Sequence, residues 1–291
     1  MQRMLTRRSF VGMTAASLAA RTLAAQQISA ASQASVQFSV MIWTLKKLGT
    51  FEENLERVAQ AGYSHVELTG EFKQWSEDDY RRILARMQAL KISVDATSGV
   101  SPGFAGPQEP FLGALKDLIP AAKRLECNKI LLLSGKRIEG AAPGSQHAAA
   151  VEALKRAADV LSSASLTAVI EPIDRIENPP IYLDGVTEAF EIVRAVGSPN
   201  IKVLYDVYHE QREFGNLIEK FEKNIDQVGL IHIADVPGRH EPGTGEINYL
   251  NIYRKLAQLN YKGPIAMEFY PTGDIVETLR HAREQAQSLL S

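Results

Sequence analysis

The chain has a single cysteine, Cys127, among 291 residues, so it cannot form an internal disulfide. In KRLECNKILLL that cysteine falls between a helix end and a strand, where it reads as buried filler. The sequence also lacks a basic excess. Its formal net charge is −2, and the lysines and arginines are interspersed with acids, which argues against a nucleic-acid partner. No G-x-G-x-x-G follows the first apolar run, and no Gly-rich phosphate loop occurs, which weakens an open dinucleotide-binding sheet. There is no sign of a second domain or of a sequence repeat. The apolar run from Phe10 to Ala20 is too short to span a bilayer comfortably.

That run has another reading. MQRMLTRRSFVGMTAASLAARTLAA has a basic head, an apolar run and a small-residue exit, in that order. Thr6-Arg7-Arg8-Ser9-Phe10 has the form of a twin-arginine export signal. The expectation is a signal peptide over residues 1–25, cleaved near Ala24 or Ala25. It would deliver a folded protein to the periplasm with no stable membrane anchor. Cleavage would remove Arg3, Arg7, Arg8 and Arg21 and no acid, shifting the formal charge from −2 to −6. Residues 26–35, QQISAASQAS, read as a flexible linker. Residues 36–291 are long enough for one α/β barrel with a full core.

From there apolar runs alternate with amphipathic ones. Strands are expected at 37–43, 65–69, 92–98, 129–135, 167–173, 201–207, 229–235 and 264–270. FEENLERVAQAG carries acids in its first turn and Gly62 past its end, as a helix does. SEDDYRRILARMQAL opens on Ser76 as an N-cap, and Asp184 is expected to cap a helix running to Arg194. Further helices are expected in SQHAAAVEALKRAADVLSSA, after Gly215-Asn216, over 249–258 and over 274–289. Eight strands alternating with eight helices imply a closed parallel (β/α)8 barrel.

Four segments place a metal-type ligand where an apolar run stops: Glu171 in TAVIEPID, Asp206 in IKVLYDVYH, His232 in VGLIHIAD and Glu268 in GPIAMEFYP. The gaps of 35, 26 and 36 residues are about one strand-plus-helix unit each. Side chains at the C-terminal ends of neighbouring barrel strands converge. Three carboxylates and an imidazole meeting there repel one another unless a divalent cation lies between them. A mostly oxygen shell with one imidazole favours manganese or magnesium, and is compatible with cobalt or zinc. Glu67, at the end of the second strand, is expected to face the mouth and bond substrate, and Trp43 to wall it. Asp95 and Asp235 are read as loop anchors. Gly243 and Gly245 give the loop after His232 a tight path.

Glu-Pro-Ile at 171–173, Asp-Val-Tyr-His at 206–209 and the run HIADVPGRHEPGTGEIN from His232 to Asn248 resemble the hydroxypyruvate isomerase family. That family lies within the xylose-isomerase-like barrel superfamily of sugar isomerases and epimerases. The resemblance runs from about Val36 to the C-terminus. It implies Glu171, Asp206, His232 and Glu268 as ligands of one divalent metal, and His209 and Arg239 as holders of substrate oxygens. Hydroxypyruvate isomerases often have Gln where His232 stands; the keto-sugar epimerase branch has His. The chemistry expected is isomerisation of a small hydroxy-carbonyl compound or keto-sugar through an enediolate. Glu171 and Glu268 would move the proton. A keto-sugar epimerase, or an exported lyase or hydrolase of oxidised sugars, would use the same enolate chemistry. A non-catalytic sugar-binding barrel has no need of two bases. The partner expected is a small carbohydrate or hydroxy-carbonyl molecule, and homo-oligomer formation is compatible with the sequence.

Overall fold

The computed structural model describes residues 36–290. The expected signal over 1–25 and linker over 26–35 lie outside the described residues. Strands buried on both faces are largely apolar, and the eight expected runs are so apart from isolated polar residues such as Ser39, Glu67, Asp95 and Lys129. They form β1 (Phe38–Met41), β2 (His65–Leu68), β3 (Ser93–Thr97), β4 (Lys129–Leu133), β5 (Thr167–Glu171), β6 (Ile201–Asp206), β7 (Val228–Ile233) and β8 (Ile265–Met267). Every neighbouring pair is parallel, and β1 also pairs with β8, closing the barrel. The (β/α)8 architecture is therefore as expected.

Two apolar layers hold it together. The larger lies between strands and helices and includes Leu55, Val58, Phe111, Leu154, Phe190, Tyr205 and Tyr253. The smaller fills the barrel interior with Met41, Ala96, Leu131, Val169, Leu204, Leu230 and Ala266. Cys127 is 2 % exposed and belongs to the outer layer, the filler role its setting suggests.

Local sequence sets the helix starts. Thr50 and Ser76 each close a capping box, with Glu53 and Asp79 reaching back to the cap. Asp184 does not cap. Gly185 precedes the helix Val186–Val196, and Asp184 instead accepts from Arg137 at 3.1 Å. The helix Gln108–Arg124 carries Pro120 inside it. The segment between β6 and β7 holds two helices, Val207–Glu213 and Leu217–Asn224. No described helix is long and apolar enough to cross a membrane.

Register brings the ligand-type residues level. Asp206 pairs with His232, and His232 with Ala266. Glu171 is the last residue of β5, and Glu268 follows β8, where its N–H donates to the Ile233 carbonyl at 3.0 Å.

Candidate active site

Glu171, Asp206, His232 and Glu268 are all buried, and each offers a ligand atom within 4.8 Å of the others'. Asp206 divides its carboxylate. Oδ1 caps the following short helix, accepting from Tyr208 N at 2.8 Å and His209 N at 3.2 Å. Oδ2 is buried and has no hydrogen-bond partner. An orphaned buried carboxylate oxygen is costly in a protein interior. Together with two further carboxylates and an imidazole, it makes a donor set that can hold a divalent metal ion.

Around this cluster the charges are arranged unequally. Glu268 Oε2 lies 2.9 Å from Arg239 Nη2 and 2.7 Å from His232 Nδ1, and its Oε1 accepts from the Trp43 indole N–H at 3.0 Å. Burial opposes its charge, but Arg239 and His232 outweigh burial and hold Glu268 well below the usual carboxylate range. Glu171 is the opposite case: burial, and then the Glu268 charge, pushes it up to about 8. The two carboxyls thus stand in unlike surroundings, Glu268 among cations and Glu171 among acids and apolar groups.

Arg239 comes from the loop after β7. It is 5 % exposed, and its guanidinium binds Glu177 at 2.9 and 3.1 Å while its Nε reaches the Glu268 carbonyl at 3.3 Å. It lies 5.5 Å from the Trp43 ring centre and 4.9 Å from that of Tyr208. The loop owes its shape to Asp235, whose carboxylate accepts from the N–H groups of Val236, Gly243, Gly245 and Ile247 at 2.9 to 3.0 Å. A Cβ on Gly245 would fall 2.0 Å from the Val236 carbonyl oxygen, so only glycine fits there.

His209 is 2 % exposed and stands between two acids. Its Nδ1 is 2.6 Å from Asp174 Oδ2, and its Nε2 is 3.5 Å from Asp206 Oδ2. Burial disfavours its charge, but Asp206 and the Asp174 hydrogen bond prevail and raise it to about 9. Asp174, Glu177 and His209 also converge, but Arg212 already neutralises them, at 3.2 Å from Asp174 and 3.3 Å from Glu177.

Two residues sit differently from the expectation. Glu67 does not line the mouth. It lies beneath His232, 1 % exposed, with Oε2 at 2.9 Å from Nε2. Asp95 anchors no loop; it is inside the barrel, 3.1 Å from Lys129 Nζ. Trp43 stands beside the cluster and donates its indole N–H to Glu268. Sequence reasoning missed Asp174, Glu177 and Arg212, which stand in irregular or short segments; the EPIDRIEN run of acids after β5 was the available signal.

A closed parallel barrel with this donor cluster at the C-terminal ends of its strands has the architecture of a barrel enzyme. The chain belongs to the xylose isomerase-like TIM barrel family, whose model matches residues 55–289. It is 32 % identical over 228 residues to a hydroxypyruvate isomerase of Escherichia coli, covering 76 % of this chain and 88 % of that protein. It is 30 % identical over 184 residues to a 2-oxo-tetronate isomerase of Pectobacterium atrosepticum, covering 60 % and 70 %. Among solved structures, a family 2 AP endonuclease of Brucella melitensis superposes with a TM-score of 0.74 at 26 % identity, covering 84 % of this chain and 96 % of that one. An L-ribulose 3-epimerase superposes with a TM-score of 0.72 at 18 % identity, covering 88 % and 94 %, a likeness of fold.

Proposed function

We propose that this chain is a metal-dependent isomerase of a small hydroxy-carbonyl compound or keto-sugar, working by proton transfer beside a carbonyl as a hydroxypyruvate isomerase does. The observation that carries this reading is the convergence of Glu171, Asp206, His232 and Glu268, whose ligand atoms lie within 4.8 Å of one another, with Asp206 Oδ2 satisfied by no hydrogen bond. Relatives named as isomerases, one of them matched over 88 % of its length, support the class.

Glu171, Asp206, His232 and Glu268 would hold the ion, manganese or magnesium by the donor set. A divalent cation there supplies positive charge for the enediolate that forms when a proton leaves the carbon next to a carbonyl. Glu171, which the ion would keep ionised, would take that proton and return it. Glu268, pinned by Trp43, Arg239 and His232, remains a carboxylate on the other side. His209 Nε2 and the Arg239 guanidinium face the cluster and hold substrate oxygens. Trp43 and Tyr208 give the substrate an apolar wall and limit water.

A second reading, keto-sugar epimerisation, is favoured by one feature. The two carboxyls rise from β5 and β8, with two strands between them, so a proton removed on one face can be returned on the other. We further propose that residues 1–25 direct export by the twin-arginine route.

The test is to incubate the manganese-loaded protein in deuterated water with a panel of hydroxy-ketones, hydroxy-aldehydes and keto-sugars. Deuterium uptake at a carbon next to the carbonyl is expected for at least one substrate, and product stereochemistry separates isomerase from epimerase. No uptake across the panel would reject both readings.

A further inference from the structure

His209 rides on the 7-residue helix Val207–Glu213. A helix that short does not hold itself in water, so its neighbours must place it. Asp206 caps its first turn, and His209 reaches Asp174 at 2.6 Å. The next residue, Glu210, projects about 100° further round the axis and meets a different neighbour. It is 2 % exposed. Its Oε2 accepts from the backbone N–H of Val186 at 2.9 Å, and its Oε1 pairs with Lys220 of the helix Leu217–Asn224. Val186 opens the helix Val186–Val196, which Gly185 leaves without a side-chain cap. Phe214, which ends the short helix, lies over Gly185, where a Cβ would come 2.4 Å from its ring. A local Ser, Thr, Asp or Asn caps a helix without burying a lysine-paired acid. Such a buried pair gives less stability than apolar filling of the same volume. Capping alone therefore does not call for Glu210, whereas a link between helices does.

We propose that Glu210 is a positioning residue for His209: by bonding the Val186 N–H it joins the short helix to the start of Val186–Val196 and fixes how that helix is rolled about its axis. Adjacent residues anchored in different directions fix a helix against rotation, and one anchor alone lets it turn. The His209 ring stands with Nε2 3.5 Å from Asp206 Oδ2, so a roll of the helix carries it out of line with the cluster. Glu210 thus acts on the site through its neighbour. This inference rests on the reading given above in which His209 holds a substrate oxygen.

Crystal structures, together with turnover of hydroxypyruvate, the compound for which the relatives are named, test it in three variants. Glu210→Ala removes the acceptor. Val186→Pro removes only the donor. Proline is favoured at the first helical position, and Gly185, at φ −155° and ψ 155°, already has the extended backbone that suits a following proline. Both variants are expected to shift the His209 ring away from Asp174 and to raise KM, with kcat/KM falling about 10²-fold. Simple loss of folded protein would instead lower kcat and leave KM alone. Glu210→Gln keeps an oxygen for the Val186 N–H and is expected to restore both the ring position and KM. His209 in its wild-type place in Val186→Pro, or a Glu210→Gln variant as displaced as that proline variant, would overturn the inference whether or not the alanine variant folds. A wild-type protein that leaves hydroxypyruvate unchanged counts against hydroxypyruvate as substrate, and the position of His209 in the crystals still decides this inference.

Discussion

Glu171 and Glu268 are the same side chain in the same pocket, yet their surroundings differ. Glu268 receives an indole N–H, a guanidinium and an imidazole, whereas Glu171 faces mainly burial and its neighbour's charge. Glu171→Gln removes a proton carrier while keeping shape and one acceptor. Deuterium exchange into substrate is expected to fall about 10²–10⁴-fold, with an unchanged circular dichroism spectrum. Exchange at the wild-type rate would take Glu171 out of the base role. The four ligand-type residues are legible in the sequence because each polar side chain interrupts an apolar run at a strand end. The same rule misplaces Glu67. It also closes a strand, but it pairs with Met41 on β1 and Ala96 on β3 across a register shift, and so sits a layer deeper. Nothing local in the sequence tells a mouth residue from one a layer below it. The partner of Glu67, His232, is 165 residues away.

At the scale of elements, the loop after β7 shows how one side chain shapes a segment. Asp235 gathers four backbone N–H groups, and the loop it folds delivers Arg239 to Glu268. Asp235→Ala leaves those donors to find water or remain unpaired. A loss of roughly 3 kcal/mol is expected, from about 1–3 kcal/mol for each buried donor left without a partner. That corresponds to a fall in Tm of about 6–12 °C for a domain of this size. Activity should fall further than stability, since Arg239 loses its support. A thermal melt and a rate measurement check this, and a Tm within a degree of wild type would contradict it. The anchoring role of Asp235 can be read from the sequence, because an acid beside a Gly/Pro-rich run has N–H groups to collect. The helix Gln108–Arg124 is hard to read because Pro110, Gly113 and Pro120 obscure its period. Pro110 falls in the first turn, where a missing N–H removes no helix bond, and the apolar face of Phe111, Leu115 and Leu118 outweighs the rest. Asp184 looks like a cap by position, but two arginines compete for it, and Arg137 and Arg175 take its carboxylate.

For the whole molecule, the barrel places its chemistry at one end and its stability elsewhere. The ring of eight strands is legible from alternation alone, since a parallel strand buried on both faces is largely apolar and a crossover helix is amphipathic. The export proposal belongs to this scale. Changing Arg7-Arg8 to Lys-Lys in the full-length precursor is expected to leave the protein in the cytoplasm of a host with twin-arginine machinery. Fractionation and immunoblotting check this, and unchanged export would reject it. The proposed metal binding belongs to this scale as well, because four strands must close before Glu171, Asp206, His232 and Glu268 meet. An ion that binds only the folded chain stabilises it by mass action, about 2.7 kcal/mol at a hundred times its dissociation constant. The most direct test of that ion is an anomalous-difference map from crystals of the protein loaded with manganese. The account predicts a single strong peak bounded by Glu171, Asp206, His232 and Glu268. A well-phased map with no density among those four side chains would contradict it.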